Sequence, residues 1–153
     1  MDRKIRIKAV NMFGLEMGKF FPEFRPVKIK SMYLGPGTSV WQKDSTDCSY
    51  FVMFCPEPKG QQDLVTVELG WSRLKRFPEL MQIPSIAFPK DVPSAHKREE
   101  GIVRIGTLCD AEFGWVPVKD ETIASVVEFL IEKLQRIGIP FLNGLANQRL
   151  SES

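Results

Sequence analysis

Hydrophobic residues in the last third of the chain recur at the spacing of an α-helix. One helical face would carry Ile123, Val126, Val127, Leu130, Ile131, Leu134 and Ile137. Asp120 suits an N-cap, Glu121 suits the positive end of the helix dipole, and Gly138 followed by Pro140 is a stop signal. The pattern predicts an amphipathic helix from 120 to 138, which must pack against a large apolar surface.

A second helix is predicted over residues 4–24. Its loose apolar stripe consists of Ile5, Ala9, Met12, Phe13, Met17, Phe20 and Phe21. Gly14 and Gly18 lower the helix propensity of this segment, and Pro22 and Pro26 are expected to end it.

From Val27 onward the pattern changes to the alternation of β-strands. Three strands are predicted at 39–43, 49–55 and 63–72, and the polar or glycine- and proline-rich turns between them favour an antiparallel meander. In the third strand the predicted core face is Val65, Val67, Leu69 and Trp71. The opposite face is Leu64, Thr66, Glu68 and Gly70, and Glu68 is expected to face solvent.

The remaining segments complete an α+β pattern. Prolines forbid long regular elements between 73 and 93, a further strand is expected at 101–108, and a short helical turn after Pro140 precedes a frayed tail at 148–153. We therefore expect a single α+β domain over residues 1–153. In this domain an antiparallel β-meander sheet carries an N-terminal helix and a long C-terminal helix on one face.

Composition narrows the functional classes. The chain has 153 residues, 43% of them hydrophobic and 26% charged, which is typical of a folded protein. Its net charge of +2 disfavours nucleic acid as a partner. No apolar run approaches the roughly 20 residues that a membrane helix needs, and no signal peptide is visible, so a cytoplasmic location without membrane association is expected.

Reactive side chains are few. The odd number of cysteines (Cys48, Cys55 and Cys109) and their spacing match no zinc motif, which favours reduced thiols in or near the core; a Cys48–Cys55 disulfide is the alternative. Cys109, Asp110 and Glu112 lie together but do not complete a metal shell. We therefore expect no catalytic residues, no metal and no cofactor.

The order of the motifs resembles a known domain family. A strand (Ile102–Gly106) is followed by an aromatic turn with Trp115, an acidic helix start, an apolar helix and the segment Gly138-Ile139-Pro140-Phe141-Leu142. This order is similar to an uncharacterised bacterial family, the domain of unknown function numbered four-three-zero-four. The resemblance implies an N-terminal helix paired with a sheet, and it brings no catalytic residues.

One short segment combines aromatic and basic side chains. It contains Trp71, Arg73, Lys75, Arg76 and Phe77, and the residues His96, Lys97 and Arg98 flank the same proline-rich stretch. Aromatic residues and arginine are enriched at binding hot spots, so this set, without Lys97, is the predicted binding site. The alternative is that Trp71 and Phe77 are core anchors and the basic groups are solvated.

Three functional hypotheses follow. The first is a small non-catalytic binding protein, of immunity or accessory type, that holds one protein partner. The second is a small enzyme with a cleft beside residues 73–93, using Glu68, Arg73, His96 or Arg104. The third is binding of nucleic acid or another anionic ligand through the basic patches at 73–77 and 97–98.

Overall fold

The computed structural model describes residues 1–31, 34–35, 37–57, 62–78, 86 and 89–152, and for His96 and residues 146–152 it describes the backbone alone. Part of the predicted turn between the strands at 49–55 and 63–72, and part of the predicted irregular stretch 73–93, lie outside these residues.

The described chain forms an antiparallel sheet with helices at both ends of the sequence. The helices are α1 (Arg3–Phe20), α2 (Ile123–Lys133) and α3 (Ile139–Glu152), and the strands are β1 (Arg25–Val27), β2 (Ser39–Asp44), β3 (Ser49–Pro56), β4 (Leu64–Ser72), β5 (Glu100–Arg104) and β6 (Val116–Pro117). The strand order is β1-β2-β3-β4-β5, and β6 pairs with β4. The predicted α+β class, with its meander, N-terminal helix and long C-terminal helix, is confirmed.

Helix α1 begins and ends at positions that local chemistry explains. The Asp2 carboxylate accepts hydrogen bonds from the backbone N–H groups of Lys4 (2.8 Å) and Ile5 (3.2 Å), so it caps the helix. The helix stops at Phe20 and not at the predicted residue 24. Pro22 explains the difference, because a proline disfavours helical backbone in the residue before it, here Phe21.

The C-terminal helix does not stop where the sequence predicted. Residues Leu134–Gly138 form a π-helical turn that leads directly into α3, and residues 148–152, predicted as a tail, continue that helix. Gly138 is a packing residue, since a Cβ there would lie 3.2 Å from Ile105 and 3.3 Å from Leu69. Pro140 lacks an N–H, and the wider turn before it accommodates that loss.

The start of this helix also differs from the prediction. A 3₁₀ turn, Asp120–Thr122, precedes α2, and Lys119 takes the capping position predicted for Asp120. The Asp120 carboxylate instead lies 2.8 Å from the Lys8 ammonium of α1. A second 3₁₀ helix, Pro89–Lys97, occupies the end of the stretch predicted to be irregular. Pro89 suits its first position, and Pro93 lies inside it.

One face of the sheet packs against the helices. The four residues predicted to face the core, Val65, Val67, Leu69 and Trp71, are fully buried there. Phe13 of α1 meets the sheet at Trp41 and Phe54, with ring centroids 5.3 and 4.8 Å away. The main core therefore lies between the helical layer and this face.

The other face of the sheet is partly buried, although Glu68 on this face was predicted to lie in solvent. It carries a second buried cluster of Val40, Phe51, Met53 and Cys55. The Glu68 side chain, expected in solvent, is only 22% exposed and lies 3.6 Å from the Arg104 guanidinium. The predicted strand 101–108 is also shorter, because β5 ends at Arg104 and Ile105–Leu108 forms a 3₁₀ turn.

Candidate functional site

Trp71 of the predicted binding segment lies in the core. Its side chain has no exposed surface, and its ring packs edge-on against Phe141 of α3 with centroids 5.8 Å apart. The indole N–H donates a hydrogen bond of 3.4 Å to the Arg98 carbonyl. The core-anchor interpretation of Trp71 is therefore the one that the structure supports.

Arg73 ties three parts of the chain together. Its guanidinium donates hydrogen bonds to the carbonyl of Arg98 and, at 3.1 Å, to the carbonyl of Leu145 in α3. Its backbone N–H donates to the carbonyl of Glu99 at 2.8 Å. The structure thus brings Arg73 and Arg98 together, but the contact is a hydrogen bond to the backbone carbonyl of Arg98, which stabilises the fold. The side chain of His96 lies outside the described part of the chain.

Arg76 and Glu100 form a charged cluster with Ser72 at the end of β4. Arg76 contacts both carboxylate oxygens of Glu100, the shortest distance being 2.7 Å, and Ser72 donates to the same carboxylate at 2.6 Å. Burial opposes ionisation of Glu100, but the hydrogen bonds from Arg76 and Ser72 outweigh it and hold the pKa of this carboxyl below its ordinary value. The cluster therefore stabilises a buried negative charge.

Lys75 and Phe77, the other two predicted binding residues of this segment, lie in different surroundings. Lys75 donates from its ammonium to the Ser45 carbonyl of the β2–β3 turn. Phe77 packs edge-on against Phe51, at 5.1 Å between centroids, on the side of the sheet opposite to Trp71. The structure therefore does not bring Trp71 and Phe77 to one surface, and binding by the remaining residues stays a prediction.

The residues named for an enzyme are split between the two sides of the sheet. Glu68 and Arg104 lie on the second face, where the Arg104 guanidinium also stacks over the Trp115 ring at 5.0 Å. Burial raises the pKa of Glu68, and Arg104 opposes that effect. Arg73 binds Leu145 on the helical side. Among the described residues, no group of three or more side chains could hold a metal ion.

The three cysteines are buried, and no disulfide bond joins any of them. Cys48 and Cys55 lie seven residues apart along one extended segment, which separates them by about 23 Å, so a disulfide between them is excluded. Burial raises the pKa of the Cys55 thiol far above its ordinary value, which is the environment of an unreactive core thiol. The predicted location of the thiols in the core is confirmed, and their reduced state stays a prediction.

The largest exposed apolar side chains concentrate on α1. Ile7, Met12, Leu15 and Phe20 belong to this helix, and Leu74 is the fifth such residue in the described chain. Leu15 is 75% exposed, more than any other in this group. The sequence does carry a signal for this surface, because Ile7 and Leu15 are apolar positions that lie outside the stripe predicted to face the core.

Two grooves run along opposite flanks of α1. The first, which we call the edge groove, lies between α1 and strands β1 and β2 and has a volume of about 760 Å³. Gly14, Leu15, Gly18 and Trp41 line it, and Lys28 is the one charged residue among its described lining. The groove is open along Gly18, where a Cβ would meet no atom within 4 Å.

The second, which we call the helix groove, lies between α1 and α2 and has a volume of about 570 Å³. Val127 and Ile131 are buried in its floor, and Met12 and Phe20 form its apolar wall on α1. The charged residues of its described lining are Glu16, Glu128 and Glu132. The two grooves thus differ in charge, although both are apolar at the base.

Comparisons of the chain with models of known protein families, with curated proteins and with solved structures find no match. Membership of the bacterial family that the sequence resembles therefore stays a prediction. In the described residues, no helix has both the length and the apolar character needed to cross a membrane. Function is inferred from the surface of the molecule itself.

Proposed function

We propose that this chain is a non-catalytic binding protein that holds one protein partner, as an accessory protein does, and that α1 is its contact surface. The observation that carries the proposal is the concentration of exposed apolar residues on that helix, Ile7, Met12, Leu15 and Phe20. Apolar side chains that are exposed together on one element, rather than scattered singly over the surface, mark interaction sites in soluble proteins. Removing it from water contributes about 25 cal/mol per Å² of buried area.

The contacts of the other candidate residues agree with this choice. Arg73 and Arg76 already bind carbonyl or carboxylate groups of the same chain, so a nucleic acid would have to compete for them. Glu68 and Arg104 lie on the opposite side of the sheet from the contacts of Arg73, so these three residues, named for the enzyme hypothesis, do not share one site. In the part of the chain that the structure describes, exposed large apolar side chains are concentrated on α1 and not at the residues named for either alternative.

A pair of matched substitutions tests the proposal. Leu15 and Leu74 are both exposed leucines, at 75% and 51%, but Leu15 lies on α1 and Leu74 lies in the segment predicted as the binding site. The tagged protein is expressed in its source cells, and the recovered complexes are weighed by native mass spectrometry. We expect one stoichiometric protein partner with the unmodified chain and with Leu74→Glu, and loss of that partner with Leu15→Glu.

The opposite pattern contradicts the proposal. If Leu74→Glu releases the partner and Leu15→Glu keeps it, the binding surface is the 71–77 segment and not α1. If no stoichiometric partner is recovered, protein binding itself is refuted. Circular dichroism of both variants confirms that each change leaves the fold intact.

A further inference from the structure

The helix groove has the walls and the length that would accommodate a third helix. Its wall on α1 comes from Met12, Glu16 and Phe20, which recur every four residues and so lie on one flank of that helix. Its other wall runs from Ala124 to Gln135. At 1.5 Å per residue this wall is about 17 Å long, the length of a helix of three turns.

The base of the groove suits the apolar face of such a helix. Val127 and Ile131 are buried below it, while Met12 and Phe20 remain 36% and 42% exposed at its side. Leucine-sized side chains at helical spacing would cover both exposed residues and complete the apolar layer. Met12 adds adaptability, since an unbranched thioether fills irregular gaps.

The charges around the groove point to a cationic occupant. Three glutamates and no lysine or arginine occur in its described lining. Arg136 pairs with Glu132 at 3.1 Å, and the ammonium of Lys19 lies over the Phe20 ring at 5.4 Å. Glu16 and Glu128 form no ion pair within the described chain, so a docking cation would find two carboxylates available.

We propose that the helix groove binds a cationic amphipathic helix of the partner protein. This inference rests on the proposed function and adds to it the chemical class of the partner segment, namely a helix of about three turns with leucine-like residues on one face and lysine or arginine beside them. The edge groove supports no comparable assignment, because Lys28 alone gives its described lining a charge.

The probe is a designed peptide of about 14 residues with capped ends and an alanine-rich sequence. Its leucines repeat at helical spacing, and lysines flank them. A second peptide carries glutamate at every lysine position, which keeps the apolar face and reverses the charge. Binding to the intact chain is measured by fluorescence anisotropy and calorimetry at low and at physiological ionic strength.

We expect the lysine peptide to bind saturably with one peptide per chain, and the glutamate peptide to bind at least about tenfold more weakly. The double variant Glu16→Lys/Glu128→Lys should weaken the lysine peptide at least about tenfold and should improve binding of the glutamate peptide. Asp47→Lys is the control for a charge reversal away from the groove, since Asp47 is exposed in the β2–β3 turn and does not line the groove, and it should leave binding within about twofold.

Three results would overturn this inference: no saturable binding of the lysine peptide, equal binding of both peptides, or binding that the double variant leaves unchanged. If the double variant fails to fold, Glu16→Gln/Glu128→Gln replaces it, with a smaller loss of lysine-peptide binding expected. The proposed function fails separately, in the partner recovery with Leu15→Glu. If Leu15→Glu releases the partner but the lysine peptide does not bind the chain, the protein-binding function stands and the cationic helix is excluded.

Discussion

Gly101 and Trp71 are cross-strand partners whose packing can be tested directly. They pair in register between β4 and β5, and the indole of Trp71 lies over Gly101. A Cβ added to Gly101 would come within 2.3 Å of two atoms of the six-membered ring of Trp71. Since nonbonded carbon atoms prefer about 3.5–4.0 Å, Gly101→Ala must displace a fully buried tryptophan by about 1 Å or more.

The displacement should be costly because the surroundings of Trp71 are tightly packed. Phe141 lies against one edge of the ring, and the indole N–H is held by the Arg98 carbonyl. Overpacking a core of this kind costs about 1–3 kcal/mol. We expect Gly101→Ala to lower the free energy of unfolding by about 2 kcal/mol, which lowers the melting temperature by about 4–8 °C for a chain of this size.

A double-mutant cycle measured by urea denaturation separates this clash from other effects. Trp71→Phe alone should cost about 2–3 kcal/mol, through lost volume and the lost indole hydrogen bond. In that background the two clashing ring atoms are absent, so the added cost of Gly101→Ala should fall by at least about 1 kcal/mol. Gly114→Ala is the control, because a Cβ there meets no atom within 4 Å, and its effect should stay within about 0.5 kcal/mol.

The reasoning fails if Gly101→Ala is as stable as the unmodified chain, or if its cost is the same in both backgrounds. The first result would mean that Trp71 can move freely, which would reopen its role as a binding residue. The second would mean that the cost of Gly101→Ala does not come from the Trp71 ring.

Three further predictions concern stability and thiol reactivity. Glu100→Gln should lower the free energy of unfolding by about 2 kcal/mol at neutral pH, because Arg76 loses its charged partner. Since the pKa of Glu100 is lowered in the folded chain, its contribution to stability is complete above the ordinary pKa of a glutamate and is lost as the pH falls. The stabilities of the variant and of the unmodified chain should therefore converge in acid denaturation curves. Gly18→Ala should raise the free energy of unfolding by about 0.5–1 kcal/mol in urea titrations, since the glycine is inside α1 and its Cβ would meet no atom; a loss of stability would contradict the description of this flank. Ellman's reagent should react slowly with the folded chain, because Cys48, Cys55 and Cys109 are buried, and rapidly with three thiols in denaturant, because no disulfide joins them; fewer than three would indicate a disulfide.

Two features of the fold could be predicted from the sequence because they depend on local periodicity. The alternation of Val65, Val67, Leu69 and Trp71 assigned the core face of β4 correctly, and each of the four is fully buried. The apolar stripe from Ile123 to Leu134 likewise identified the buried face of α2 and of the turn that follows it. Side chains two apart on a strand, or three and four apart on a helix, share a face whatever the rest of the chain does.

The signals at helix ends were less reliable because packing can override them. Gly138 and Pro140 predicted a stop, but the helix continues through a π turn, since Gly138 fits closely against Leu69 and Ile105. The sequence does not distinguish a glycine that ends a helix from a glycine that allows a helix and a strand to approach each other closely. Only the position of the neighbouring strand distinguishes the two cases.

The candidate site shows the same limit most clearly. The sequence by itself determined that the segment from Trp71 to Phe77 is aromatic and basic and that α1 is apolar on more than one side. Only the tertiary structure decided that Trp71 is enclosed by the sheet and α3, whereas Leu15 and Phe20 remain exposed beside grooves. Exposure depends on which flank of an element acquires a neighbour, and the distance between α1 and its neighbours is set by contacts far apart in the chain.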